Sequence, residues 1–168
     1  MEMLGLLKIR VHRGINLPLK DTFHSDPYVV VTMGDQRVKT SCKKNNCNPV
    51  WDDELTLALK YPNVPIVLSV YDKDTFSKDD KIGEAEIDIK PYLEAMEISH
   101  VQDIPDGVKV GRVQPDRDNC LAKESFIIWQ NGKLIQDMTL VLQNVECGEV
   151  KLQIEVIPKM SCNDAFFA

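Results

Sequence analysis

No apolar run in this 168-residue chain approaches the ~20 residues that cross a bilayer as a helix. Any membrane contact is therefore expected to be peripheral. Residues Met1 to Lys8 run straight into a strand pattern and become charged too soon for a secretion signal. Glu2 excludes N-myristoylation, and Cys162 lies too far from the end for a prenylation box. The five cysteines, Cys42, Cys47, Cys120, Cys147 and Cys162, are odd in number and form no C-x-x-C pair. They read as reduced thiols of a cytosolic or nuclear protein. His12, His24 and His100 make no zinc pattern with them. Basic residues are in deficit, 20 against 26 acids, which argues against a nucleic-acid partner. There is no internal repeat and no low-complexity segment. No nucleophile–base pair, phosphate loop or catalytic carboxylate pair stands outside the acidic clusters described next, so an enzyme is not the expected class.

What the chain does have is a local concentration of acid. The length suits one domain with a good core. Its net charge is −6, and five aspartates account for five of those charges. Asp21 and Asp26 form one cluster; Asp72, Asp74 and Asp80 form another. Each cluster interrupts a run that reads as β-strand. Packed together, the five carboxylates repel and need a counter-ion, and hard oxygen ligands in this number point to Ca²⁺. The competing reading is two solvated acidic turns, because Asp is a common turn residue.

Strand signals surround the clusters. Leu7, Ile9 and Val11 alternate with Lys8, Arg10 and His12; Tyr28 to Met33 is a β-branched run. Gly34-Asp35 suits a two-residue hairpin turn. Leu55, Leu57 and Leu59, then Ile66, Leu68 and Val70, then Ile82, Ala85, Ile87 and Ile89 continue the pattern. Short strands at this spacing indicate an all-β sandwich. If successive strands alternate in direction, both acidic clusters fall at one end, where a rigid scaffold usually places binding function. By the same parity the sixth strand ends near Ile89 at the opposite end.

From Pro91 the pattern changes. Pro91 to Glu97 predicts a short helix with Pro at its first position. Gln102 to Lys123 is polar and turn-rich. Asn131-Gly132 between apolar runs is a strong hairpin signal, and Val150, Leu152, Ile154 and Val156 predict a last strand. Residues 159–168 are expected to form a tail.

These residues resemble a C2 domain, the calcium- and phospholipid-binding module. The likeness is carried by Ser25-Asp26-Pro27-Tyr28-Val29, Lys39-Thr40, Asn48-Pro49-Val50-Trp51-Asp52-Asp53-Glu54, Val70-Tyr71-Asp72-Lys73-Asp74 and Asp79-Asp80-Lys81-Ile82-Gly83. It implies an eight-stranded antiparallel β-sandwich of type II topology over residues 1–158. It also implies Ca²⁺ ligation by Asp21, Asp26, Asp72, Asp74 and Asp80, with carbonyls near Lys20 and Lys73. Two such ions would bring the net charge to about −2 and make the acidic end attractive to lipid headgroups. The segment 90–146 resembles the insertion of the plant C2-domain abscisic-acid-related proteins, also described as small GTPase-activating proteins. Asn119 to Ser125, Asn131 to Asp137 and Val145 to Val150 carry that likeness, so an inserted short helix and an extra β-hairpin are expected. The family resemblance implies Ca²⁺-dependent binding to anionic phospholipid membranes and recruitment of abscisic acid receptors to the plasma membrane. It also implies, as an alternative, activation of an Obg-type GTPase. The implied location is cytoplasmic and peripheral on the plasma membrane, with the nucleus as a further compartment.

Several residues keep two readings. Phe23 and Phe76, central in the acidic loops, either insert into a membrane or fold back onto their loops. Arg37, Lys39, Lys43 and Lys44 either form a lipid-facing basic group or protect a strand edge, and Ser41 stands where the family often has another lysine. Trp51 is expected to anchor a loop onto the core. Trp129 is either core or a partner anchor. Arg112 and Arg117 are either GTPase-contacting or simply solvated. Asp79 is expected to be a solvated neighbour of the ligands. A calcium-independent interaction domain is the third functional class.

Overall fold

The computed structural model describes residues 3–18, 26–44, 46–60, 63–74, 77–99 and 103–159. The expected tail lies outside them from residue 160 onward. In chain order the elements are β1 (Gly5–Ile15), β2 (Pro27–Met33), β3 (Gln36–Lys39), β4 (Val50–Leu59), β5 (Ile66–Asp72) and β6 (Asp80–Glu86). Then follow α1 (Lys90–Ser99), β7 (Lys109–Val113), β8 (Ser125–Gln130), β9 (Lys133–Val141) and β10 (Glu149–Pro158). They form two antiparallel sheets, one ordered β4-β1-β10-β9-β8-β7 and the other β3-β2-β5-β6. This is a sandwich of four strands on four, with β8 and β7 extending one sheet.

Alternation builds the core. Leu7, Ile9 and Val11 of β1, Val29 and Val31 of β2, Leu68 and Val70 of β5 and Leu152 and Ile154 of β10 are all completely buried. Each such side chain contributes about 1.5–3 kcal/mol relative to an exposed one. The two tight turns follow their sequences. Met33 pairs with Gln36 across Gly34-Asp35, with Gly34 at φ 61°. Gln130 pairs with Lys133 across Asn131 and Gly132, both at positive φ. Those are the backbone signs that a glycine-first turn and an Asn-Gly turn require.

The sheets are joined at both flanks. The Gln36 amide donates to the Ala58 carbonyl at 2.7 Å and accepts from the Ala58 N–H at 2.7 Å, so one side chain imitates a strand pair between β3 and β4. On the other flank Gln143 and Glu84 exchange main-chain hydrogen bonds.

Pro91 falls in the first turn of α1, where its missing N–H costs nothing. The helix is fixed to the sandwich by Tyr92, which is 1% exposed. Its hydroxyl donates to the Leu134 carbonyl (2.6 Å) and accepts the Val156 N–H (2.9 Å). The β9–β10 ladder stops at Gln136–Ile154, so the hydroxyl serves the N–H that β9 does not reach. Burial pushes its pKa up to about 12, which keeps it a donor at all physiological pH.

The turn-rich stretch 102–123 contains β7, which the sequence did not signal. It is five residues long, includes Gly111 and pairs irregularly with β8 between Lys109 and Gly111. Gly5 pairs with Pro158 and Leu59 at one pole of β1, while Ile15 at the other pole leads toward the acidic segments. Helix α1 starts from the pole where Ile87 N–H meets the Ile66 carbonyl, opposite the acidic end. Among the described residues no helix is long and apolar enough to cross a membrane.

Candidate metal centre

The acidic pole is built on the first residues of β2 and the last of β5. Trp51, 3% exposed, donates its indole N–H to the Pro27 carbonyl at 3.1 Å, and the same carbonyl accepts the Lys43 N–H at 3.1 Å. Pro27 pairs with Asp72. Beyond that pair the Asp26 N–H donates to the Asp72 carboxylate at 2.7 Å, and the Lys73 N–H donates to the Asp26 carbonyl at 3.1 Å. The two acidic segments, 46 residues apart, therefore meet in a reciprocal hydrogen-bonded link.

Register brings in a further carboxylate. In β5, Leu68, Val70 and Asp72 share one face, so the apolar stripe of the core ends in a carboxylate at the rim. A bulge in β6 accommodates Ile82: Val70 pairs with Gly83, Tyr71 with Lys81, and Asp72 with Asp80. Like charges directly opposite in an antiparallel pair destabilise it. The fold therefore holds Asp72 and Asp80 in an arrangement that a cation would relieve.

Asp74 and Asp79 shape the second acidic loop. The Asp74 N–H donates to the Asp79 carboxylate at 2.9 Å, and the Ser77 hydroxyl donates to the Asp74 carboxylate at 2.7 Å. Asp79 also accepts the Tyr28 hydroxyl, and Tyr28 stacks on Tyr71 with ring centroids 5.8 Å apart. Asp79 is thus a loop-organising acceptor as well as the chain neighbour of Asp80. The Tyr28 hydroxyl, then the Asp74 N–H, hold its pKa below the ordinary carboxylate value. Burial, then Asp79, pushes Tyr28 up to about 12. Sequence reading missed this pair; its signal was an outward-facing Tyr on β2 beside the acidic motif.

Tyr28→Phe removes one donor from Asp79, so the Asp79 pKa should move back up toward its ordinary value. A depressed carboxylate pKa gives stability that is present above the unfolded value and lost as pH falls through the folded one. The advantage of the wild type over Tyr28→Phe should therefore be full at neutral pH and disappear on acidification. Carboxyl-carbon NMR titration reads the shift directly; identical Asp79 titrations in the two proteins would refute the bond.

Of the five sequence-derived ligands, Asp26, Asp72, Asp74 and Asp80 lie at this pole, all half-exposed or exposed. Asp21, Phe23 and Phe76 lie outside the described residues. Among the described residues no group of three or more His, Cys, Asp or Glu is arranged to hold a metal ion. The donors that are present are all hard oxygens, which suit Ca²⁺ rather than a soft-ligand metal.

Arg37 and Lys39 are exposed on one face of β3, with Lys43 and Lys44 following. A row across that sheet runs Lys39, Val30, Ser69, Glu84, from a basic edge to an acidic one. Ser41 uses its N–H and hydroxyl on the Asp53 carboxylate, at 2.8 and 2.9 Å, tying β3 to β4. Burial raises the Cys42 pKa, with Lys73 opposing and Asp26 adding, so this exposed cysteine stays a thiol.

The remaining candidates lie in the 90–146 segment. Trp129 is half-buried in an apolar cleft of about 180 Å³ between α1 and the β8–β9 hairpin, with Tyr92, Met96, Leu134, Val156 and Pro158. Arg112 is ion-paired to Glu124 at 3.0 Å. Arg117 is exposed in the loop after β7.

The family model for the C2 domain matches residues 5–104. The chain is 52% identical over 154 residues to protein C2-DOMAIN ABA-RELATED 6 of Arabidopsis thaliana, covering 92% of this chain and 88% of that protein. To C2-DOMAIN ABA-RELATED 8 of the same plant it is 54% identical over 163 residues, covering 97% and 98%. Among solved structures, a calcium-bound pair of C2 domains from Extended-Synaptotagmin 2 aligns with a TM-score of 0.62 at 21% identity, over 95% of this chain and 48% of that one. A single C2 domain of plant Extended Synaptotagmin 1 gives 0.61 at 17%, over 96% and 100%. At those identities the structural likeness is one of fold. The plant relatives align well past residue 104, so they share the inserted segment too.

Proposed function

This chain belongs to the C2-domain ABA-related family, and on that premise we propose that it is a Ca²⁺-dependent, phospholipid-binding module that brings abscisic acid receptors to the plasma membrane. The observation that supports this most is the meeting of the two acidic segments at one pole through the Asp26–Asp72 link, with Asp80 directly opposite Asp72. Asp21, Asp26, Asp72, Asp74 and Asp80 would hold the ion, which when bound neutralises the pole and offers coordination positions to lipid phosphate. The chain's own residues do the rest. Trp51 and Lys43 fix Pro27, Tyr28 and Asp79 order the second loop, and Arg37, Lys39, Lys43 and Lys44 add attraction to an anionic surface, about 1 kcal/mol per cation close to it. Phe23 and Phe76 are proposed to enter the membrane.

The partner is proposed to dock at the opposite pole, on the cleft that holds Trp129. That pole stays clear when the acidic end faces a membrane. GTPase activation would need an arginine able to reach the nucleotide. Arg112 is engaged by Glu124, and no observation favours that role over recruitment.

Sedimentation with phosphatidylserine-containing liposomes tests the calcium reading. Binding should be strong in Ca²⁺ and fall to background in chelator. Binding that chelator leaves unchanged would replace it with the calcium-independent interaction domain.

A further inference from the structure

Residues 142–148, between β9 and β10, touch the supports of both acidic segments. On the β6 side, Gln143 N–H donates to the Glu84 carbonyl at 2.6 Å and Glu84 N–H donates back at 3.3 Å. The Asn144 amide adds a bond to the Glu84 carboxylate at 3.0 Å. Gly83 lies against this segment with no room for a methyl group: a Cβ there would stand 2.9 Å from Val145 Cγ1 and 3.1 Å from Leu142 Cβ. Gly83 is three residues from Asp80. On the other side the Leu142 N–H donates to the Gly148 carbonyl at 3.0 Å and closes the segment into a loop. Gly148 adopts φ 114°, and a Cβ on it would meet Leu142 Cδ1 at 3.1 Å, Pro18 Cδ at 3.3 Å and Leu17 Cδ2 at 3.5 Å. Leu17-Pro18 is the chain that leads into the first acidic segment.

We propose that this strap is a positioning element: through Leu142, Asn144, Val145 and Gly148 it fixes the spacing between the strand that carries Asp80 and Leu17-Pro18. It thereby sets how tightly the acidic pole takes up Ca²⁺. None of its residues is a proposed ligand. The inference rests on the calcium reading above. Its physical content is that two groups of ligands on separate chain segments bind one ion well only when their separation is fixed before the ion arrives.

The test uses the full chain and three variants: Gly83→Ala, Val145→Ala and the two together. Gly83→Ala drives a methyl against Val145 and Leu142 and displaces the strap; Val145→Ala in the pair removes the nearer of the two contacts. Calcium titration by calorimetry should show Gly83→Ala weakened roughly three- to tenfold, with the pair recovering most of that loss. Without calcium, amide exchange at Asp80 and Lys81 should be faster in Gly83→Ala than in the wild type and slowed again in the pair. Asn144→Gly is a surface change that opens no cavity, keeps the φ of 62° without strain and removes the amide; it should weaken calcium binding in the same direction and serves if Gly83→Ala fails to fold. If the variants lower the thermal midpoint while calcium affinity of the folded protein stays at the wild-type value, the strap is a structural staple and the proposal is overturned. If the wild type takes up no calcium, the calcium reading falls and takes this inference with it.

Discussion

Asp26→Ala combined with Asp72→Ala should reduce calcium-dependent liposome binding at least about 100-fold, since losing even an outer-shell partner of a metal costs about 10–100-fold. Liposome sedimentation across a calcium series measures it. The same variant should lose a modest part of its stability without calcium and remain folded. It loses the hydrogen bond from Asp26 N–H to the charged Asp72 carboxylate, about 1.5–3 kcal/mol. It gains relief of the cross-strand repulsion between Asp72 and Asp80, about 0.2–1 kcal/mol. The net loss is a fraction of a typical total of about 5–15 kcal/mol, and circular dichroism without calcium checks that the variant is folded before its lost binding is read. A folded double variant that still sediments in a calcium-dependent manner would remove Asp26 and Asp72 from the site.

The second large effect lies beneath the site. Trp51→Ala should cost about 3–5 kcal/mol, the usual range for emptying a core position of a large aromatic ring. Against a typical total of about 5–15 kcal/mol this is a substantial part of the stability. Trp51→Phe should cost less, about 0.5–1.5 kcal/mol for the hydrogen bond plus the smaller cavity left where the indole exceeds a phenyl ring. The Pro27 carbonyl would still accept the Lys43 N–H and would not be orphaned. Urea midpoints of the three proteins decide it. A Trp51→Ala penalty under about 1 kcal/mol would mean that the ring does not fill the space assigned to it.

Much of this architecture could be read from side-chain alternation, because a half-buried strand writes its orientation into every second residue. The stripe Ile66, Leu68, Val70 gave β5, and its continuation to Asp72 placed a carboxylate at the rim. Gly34-Asp35 and Asn131-Gly132 gave their turns because few other residues tolerate those backbone angles. Strand parity brought both acidic segments to one pole and the start of the insertion to the other, as the pairings have them. What alternation does not encode is contact between segments far apart in the chain. The Tyr28–Asp79 bond spans 51 residues and the Tyr92–Leu134 bond 42, and neither has a local pattern. The bulge at Ile82 was equally hidden, yet it decides which residue opposes Asp72. Strand β7 escaped because five residues with a central glycine carry too little periodicity. The family likeness implied the ligand roles, and the register places two of those carboxylates, Asp72 and Asp80, directly opposite each other.

The side-chain pairing of Gln36 with Ala58 and the main-chain exchange of Gln143 with Glu84 also have a colloidal meaning. A protein that collects on a surface meets its own copies at far higher density than in solution. Open strand edges are what such copies would share, by adding one sheet to the next. Here the Gln36 side chain occupies the main chain of β4 at Ala58, and the Gln143 main chain occupies that of β6 at Glu84. On the proposed reading, a protein crowded on a bilayer would meet its own copies with those two edge positions already paired.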